Sequence, residues 1–279
     1  MHDLAQSERW CERTMRTHAS SFYLSTRLLP AHKRRAIEAL YGFCRFADDT
    51  ADEPGPTTRQ RRAAFTTIRR DLEAVAKSES AGMHPWFPAL RLAFERFPLS
   101  LDDARLLVDG CESDLQTVNI TSMQDLERYS SAVAGTVGRF TVCVLGARDE
   151  DSLRRATLLG IAMQMTNVLR DVAEDWKAGR NYLPSNAFST QSAADVMRTV
   201  ASVARYYYRE ADVLASRVPN DGSRLSIILA RNMYQGILDR IDAGNYDWSR
   251  GRAVVPGREK LRLALRSVLN AYVGFSTIK

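Results

Sequence analysis

The chain has 279 residues, of which 45% are hydrophobic and 26% charged. This composition is typical of a soluble globular protein with a sizeable core, and it excludes disordered and fibrous proteins. No stretch approaches the roughly 18 consecutive apolar residues of a membrane span. The charged N-terminus also lacks the apolar run of a secretory signal. We therefore expect a cytoplasmic protein.

The formal net charge of +6 allows anionic partners without identifying one. The basic clusters, such as residues 59–62 and 250–262, are interleaved with acidic residues or lie on predicted helix faces. Because no recognition motif accompanies them, we expect no nucleic-acid partner. The four cysteines and four histidines lack the short spacings of a zinc site or a disulfide framework. The sequence does not indicate an oligomeric state.

Helical periodicity runs through nearly the whole chain, and candidate strands are scarce. Proline and glycine residues divide the chain into segments. These segments predict helices at residues 4–18, 31–50, 57–77, 86–96, 101–115, 122–146, 149–177, 191–217, 222–243 and 258–273. Ser100 is expected to cap the helix that starts at residue 101. With no repeat and no linker, the prediction is one all-α domain over residues 1–279.

The predicted helix at 31–50 and the residues just after it carry a polar stripe. Tyr41, Arg45, Asp48 and Asp52 follow one another at steps of four, three and four residues, so they share one face. Asp49 lies beside them. Three carboxylates within five residues repel one another, and a bound cation would neutralise them.

The predicted helix at 149–177 carries a second polar stripe. Gln164, Asn167, Asp171 and Asp175 follow one another at steps of three, four and four residues in an otherwise apolar sequence. Buried polar groups without partners would cost about 1–3 kcal/mol each, so a polar partner is expected. Gly160, one turn earlier on the same face, is predicted to leave open volume above the stripe.

If the two stripes face each other, their four aspartates form a ring of oxygen ligands. Such ligands suit Mg²⁺, which is usually completed by water and substrate phosphates. Arg45 and Arg170 lie beside the acidic clusters and can clamp phosphate with forked donors. Metal and arginine around a diphosphate stabilise the charge that develops as a carbon–oxygen bond ionises. Solvated helix ends and intrahelical ion pairs are the alternative interpretation.

A third predicted helix is crowded with small residues between Tyr129 and Gly138. Gly135 and Gly138 each cost about 1 kcal/mol relative to alanine in a helix interior. Two explanations remain open: close helix packing, and room for a long apolar substrate tail.

Several segments together resemble the squalene/phytoene synthase family. They are residues 18–30, 39–53, 129–138, 164–175, 179–184, 234–238 and 244–247, in the family's order along the chain. The resemblance implies the class I isoprenoid synthase fold, an all-α helical bundle with a central cavity. It also implies head-to-head (1′–1) condensation of two prenyl diphosphates, geranylgeranyl or farnesyl, through a cyclopropylcarbinyl diphosphate. The product would be phytoene or a dehydrosqualene- or squalene-type hydrocarbon.

The resemblance also implies roles for individual residues. The residues expected to hold several Mg²⁺ ions that bridge the diphosphate are Asp48, Asp52, Asp171 and Asp175. The residues expected to act in catalysis are Tyr41, Arg45, Tyr129, Arg170 and Tyr246. The residues expected to bind substrate are His18, Ser21, Phe22, Gln164, Asn167, Arg252 and Lys260.

Departures from the family pattern leave the product open. Ser130-Ser131, Gly251 and residues 118–120 differ from residues common in the family. A terpene cyclase acting on one C15 or C20 diphosphate with the same fold and metal site is the alternative, since residues 48–52 also fit the cyclase DDxxD pattern. A catalytically silent relative is a third possibility, which the intact acidic residues disfavour.

Two further expectations concern cofactor and location. No dinucleotide-binding signature is visible, so we do not expect NADPH to reduce the intermediate. A hydrocarbon product is insoluble in water, and we therefore expect peripheral contact with a membrane through exposed apolar helix surface.

Overall fold

The computed structural model describes residues 3–79, 82–116, 120–253, 255–256, 258, 262–263 and 267. In this part of the chain the regular structure is helical and no strand occurs. The α-helices in chain order are α1 Leu4–His18, α2 Ser20–Thr26, α3 Ala31–Asp52, α4 Thr58–Ala76, α5 Phe87–Arg96, α6 Leu101–Ser113, α7 Met123–Ser130, α8 Thr136–Leu145, α9 Glu150–Lys177, α10 Ala193–Ala211 and α11 Ser223–Ala243. The all-α prediction is confirmed.

Helix starts follow the capping chemistry of the sequence. The backbone N–H of Asp103 donates to Ser100 Oγ at 3.1 Å, which confirms Ser100 as the cap of α6. Asp149 caps α9 in the same way, accepting a hydrogen bond from the backbone N–H of Ser152 at 3.0 Å. These caps fix where the helices that carry the cavity residues begin.

The predicted helices differ from the structure at three places. Helix α2 was not predicted, because its seven residues lie between two other helices and have no side-chain cap. The predicted helix at 122–146 contains a π-helical segment, Ser131–Gly135, between α7 and α8. The predicted helix at 191–217 ends as a 3₁₀ helix at Asp212–Arg217. Most of the predicted helix at 258–273 lies outside the described residues.

Helix α8 packs against both α3 and α9, the two helices that carry the polar stripes. Helix α9 also packs against α10, α11 and the π-helical segment, and α3 packs against α1, α5 and α6. Large side chains that are almost fully buried fill the core, among them Phe43, Phe65, Trp86, Phe140 and Tyr208. This packing places the two polar stripes on helices that share a neighbour.

Two glycines allow close helix contact. A Cβ added at Gly160 would lie 2.2 Å from the carbonyl oxygen of Ala134, and one at Gly138 would lie 2.1 Å from that of Ala156. Gly160 lines a cavity, as predicted, and so does Gly138, but backbone fills the space that a Cβ at Gly160 would enter. For Gly138, the structure shows close helix packing.

No helix in the described ranges is both long enough and apolar enough to cross a bilayer.

Candidate active site

A cavity lies among α3, α8, α9 and α11 and has two chambers. The outer chamber, of about 650 Å³, is polar. The inner chamber, of about 270 Å³, is mainly apolar and is lined by residues such as Val137, Leu145, Leu159, Met163 and Ile227. The residues that line both chambers are Phe22, Tyr41, Arg45, Asp48, Asp114, Tyr129, Gln164, Asn167 and Tyr234. The arrangement suits an amphipathic ligand with a charged head and an apolar tail.

Most of the residues predicted from the sequence meet in the outer chamber. Its wall includes His18, Phe22, Tyr41, Arg45, Asp48, Asp52, Tyr129, Gln164, Asn167, Arg170, Asp171, Asp175 and Arg252. Both polar stripes therefore face one space, although more than 100 residues separate them along the chain.

In the first stripe, carboxylates and arginine neutralise one another only partly. Arg45 pairs with Asp48 at 3.1 Å and with Asp49 at 2.6 Å. Burial raises the pKa of Asp48 to about 6, and the negative charges of Asp52 and Asp49 add to the rise. The pairing with Arg45 does not offset these effects.

In the second stripe, Asp171 pairs with Arg170 at 2.5 Å and with Arg252 at 2.9 Å. Burial raises the pKa of Asp175 to about 6, with contributions from neighbouring carboxylates including Asp171. Asn167 donates to Gln164 Oε1 at 3.2 Å, while its own Oδ1 is buried without a hydrogen-bond partner in the described structure. A buried oxygen in that state is unfavourable unless a ligand meets it.

Arg180 links the two stripes, and sequence reasoning did not single it out. Its guanidinium forms an ion pair with Asp52 and lies 3.9 Å from Asp175. It belongs to the segment 179–184, which carried part of the family resemblance. That resemblance was the sequence feature that could have identified Arg180 as a site residue. Its position opposite Asp52, however, depends on the tertiary fold.

Sequence reasoning also missed Asp114, Tyr182 and Tyr234, which line the outer chamber. Tyr129 donates a hydrogen bond from Oη to Asp114 Oδ2 at 3.0 Å, and its ring lies 5.1 Å from that of Tyr182, between centroids. Burial raises the pKa of Asp114 to about 7.

One predicted residue that the structure describes, Tyr246, is not brought into the cavity. Tyr246 is buried elsewhere, with the Arg198 guanidinium 5.3 Å from its ring centroid. Asn245 and Tyr246 both have positive φ, which turns the chain after α11. This turn directs the Tyr246 ring toward α10. The side chain of Ser21 and the whole of Lys260 lie outside the described residues.

The oxygen donors of the outer chamber fit magnesium. Burial and neighbouring carboxylates raise the pKa of Asp48 and of Asp175, and the amide oxygen of Asn167 is buried without a partner in the described structure; both features favour a cation nearby. No three acidic, histidine or cysteine side chains in the described residues are placed to hold an ion by themselves. Because Mg²⁺ normally keeps several waters and uses substrate phosphates, it does not require a cage made only of protein ligands.

The model of the squalene/phytoene synthase family matches residues 15–259. The chain belongs to this family. It is 32% identical over 277 residues to the 15-cis-phytoene synthase of Synechocystis sp., covering 90% of this chain and 81% of that protein. It is 32% identical to phytoene synthase 3 of Zea mays over 94% of this chain, but spans only 66% of that chloroplast protein.

The fold agrees with the family. A crystal structure of a dehydrosqualene synthase with a bound ligand superposes with a TM-score of 0.87, at 26% identity and with 98% of both chains covered. The predicted isoprenoid synthase helical fold is thus confirmed, and this family member is a prenyltransferase.

Proposed function

We propose that this prenyltransferase condenses two molecules of geranylgeranyl diphosphate head to head into a C40 hydrocarbon of the phytoene type. The observation that carries the proposal is the two-chamber cavity, whose carboxylates and arginines lie at the entrance to an apolar space. The choice of a C20 substrate rests on the phytoene synthase relatives. Cyclisation of a single diphosphate is not favoured by these relatives.

The polar residues of the outer chamber would hold the diphosphate group. When bound at Asp48, Asp52, Asp171 and Asp175, Mg²⁺ would neutralise the diphosphate and favour its departure. Arg45, Arg170 and Arg252 now pair with aspartates, and their forked donors can turn to phosphate oxygens once a substrate enters.

The boundary between the chambers would hold the reacting carbons. Tyr41 and Tyr129 line this boundary, where their ring faces can stabilise an allylic cation. The apolar inner chamber would receive the prenyl tails and exclude water, so that the cation reacts with a double bond instead of being hydrolysed.

Product analysis tests the proposal. Purified protein with Mg²⁺ is expected to release pyrophosphate from geranylgeranyl diphosphate and to form a C40 hydrocarbon, identified by mass spectrometry. Farnesyl diphosphate, offered separately, is expected to react more slowly. A C20 product from geranylgeranyl diphosphate would indicate cyclisation and contradict the proposal, as would pyrophosphate release with no C40 hydrocarbon.

We also propose that the protein binds membranes at the mouth of the cavity. Trp176, 56% exposed, follows the cavity residue Asp175, and its ring lies 6.4 Å from that of Trp248, which is 38% exposed. Lys177 and Arg250 are exposed on the same two segments. Tryptophan favours the membrane–water interface, and basic side chains favour anionic lipid.

Replacing both Trp176 and Trp248 by serine is expected to reduce co-flotation with vesicles of mixed neutral and anionic lipid. Pyrophosphate release in detergent should stay near the wild-type value. Tyr206→Ser, which removes another exposed aromatic ring, is the control. Equal flotation of the double variant and the wild type would contradict this membrane contact.

A further inference from the structure

Asp114 is a cavity carboxylate that belongs to neither polar stripe. It is the C-terminal cap of α6, and it lines both chambers of the cavity. Among the described residues it forms no ion pair; its side chain instead accepts the hydrogen bond from Tyr129 at 3.0 Å.

Helix stability does not explain a carboxylate at this position. The C-terminal end of a helix carries partial negative charge, so an anion there is unfavourable. Burial disfavours the charged form further, and the negative charges of Asp52 and Asp48 act in the same direction. A neutral cap would be more stable, which favours a chemical role for the carboxylate.

The hydrogen bond joins Asp114 to the hydroxyl of Tyr129, which lies at the boundary where the proposed function places the reacting carbons. Tyr129 lines both chambers, as do Tyr41 and Tyr234. Within the described structure, Tyr129 is the one among these three tyrosines with a carboxylate as its hydrogen-bond acceptor. Its ring also packs against Tyr182, which is 8% exposed, and this contact limits the orientations of the hydroxyl.

We propose that Asp114 acts through Tyr129 as the proton acceptor for the condensation. This inference rests on the proposed function. The C1–O bond of the first substrate breaks, and its electron pair leaves with diphosphate. The C2=C3 π pair of the second substrate then bonds to that C1, which leaves positive charge at C3.

Ring closure then requires loss of a proton. The C1–H bonding pair forms the C1–C3 bond of the cyclopropane, and the released proton passes to Tyr129 Oη. The proton of the Tyr129 hydroxyl moves at the same time to the Asp114 carboxylate, so tyrosine stays neutral. A carboxylate whose pKa burial raises to about 7 suits this task, because a base near the working pH accepts a proton and can release it again.

The test compares wild type with Asp114→Asn, which keeps the size of the side chain and an oxygen acceptor but removes the base. Both proteins are given Mg²⁺ and geranylgeranyl diphosphate with either hydrogen or deuterium at C1. The variant is expected to lose about 10²–10⁴-fold in kcat, with a larger deuterium isotope effect on cyclopropane formation than the wild type. Its affinity for an unreactive thiolodiphosphate analogue is expected to be unchanged.

The matched control is Asp109→Asn, the same substitution on α6 at an exposed aspartate that pairs with Arg69. It is expected to keep the wild-type rate and isotope effect. An Asp114→Asn protein with wild-type kcat and isotope effect would overturn the role of Asp114. So would a slow variant with an unchanged isotope effect, because positioning of substrate alone would then account for the loss.

Tyr129→Phe tests the same inference if Asp114→Asn unfolds below the assay temperature. It removes only the hydroxyl, and an isotope effect equal to that of the wild type would overturn the inference. Failure of the proposed function is distinguishable, because the wild type itself would then yield no C40 hydrocarbon.

Discussion

Replacing Asp48 by asparagine is expected to lower kcat by about a thousandfold while leaving the folded protein at least as stable as the wild type. Metal ions contribute several kcal/mol to the stabilisation of leaving-group charge, and a loss of about 4 kcal/mol corresponds to roughly a thousandfold in rate. Stability should not fall, since burial and neighbouring carboxylates raise the pKa of Asp48 and make its charged form unfavourable in the folded protein.

The stability gain has a defined pH range. A carboxyl whose pKa is raised from 3.8 to about 6 on folding favours the folded state at low pH, and this contribution is lost as pH rises through 6. Asp48→Asn is therefore expected to raise the melting temperature at pH 8 without Mg²⁺, and to change it less at pH 4. Added Mg²⁺ should stabilise the wild type more than the variant.

Steady-state kinetics measure the expected loss of kcat in Asp48→Asn, and thermal melting measures the expected gain in stability. Asp239→Asn is the control, since Asp239 pairs with Arg205 on the surface of α11. Near-normal turnover in Asp48→Asn would contradict the metal assignment. A variant that is inactive and also strongly destabilised at pH 8 would contradict the electrostatic description of the site.

Gly160→Ala is expected to destabilise the protein by about 1–3 kcal/mol, although alanine is the better helix former. The added Cβ would lie 2.2 Å from the carbonyl oxygen of Ala134 and 2.9 Å from Gly135 Cα. Both residues belong to the π-helical segment, so the backbones of this segment and of α9 would have to move apart. The movement would also displace Gln164, one turn further along α9, and we expect lower kcat together with the lower melting temperature.

Gly244→Ala is the matched control for this prediction. Its Cβ would meet only ordinary contacts at 3.4 Å, and its φ of −83° suits alanine. Chemical denaturation should give a free energy of unfolding near or above the wild-type value for Gly244→Ala and clearly below it for Gly160→Ala. Equal values for Gly160→Ala and the wild type would show that the backbones are not held this closely.

Local sequence patterns were sufficient to predict most helices and the polar stripes. Apolar periodicity and caps such as Ser100 depend on residues three or four positions apart. The π-helical segment was not predictable in this way, because one extra residue per turn barely changes a pattern of small residues. Helix α2 is too short for periodicity to reveal it.

The parts of the site that were missed depend on contacts between distant segments. Arg180 meets Asp52 across 128 positions of sequence, and no local pattern indicates that partner. Asp114 did carry a local signal, an acidic residue at the end of a helix where negative charge is unfavourable. Tyr246 was assigned by resemblance alone, and the backbone turn after α11 directs its ring away from the described cavity.

The most direct test of the central claim is a crystal structure with Mn²⁺, used in place of Mg²⁺ for its anomalous signal, and an unreactive geranylgeranyl thiolodiphosphate. The expected result is anomalous density between the diphosphate and the aspartates of both stripes, Asp48 and Asp52 on one side and Asp171 and Asp175 on the other. The prenyl tail should occupy the inner chamber. Metal and diphosphate bound outside the outer chamber, or a tail lying along the protein surface, would contradict the account.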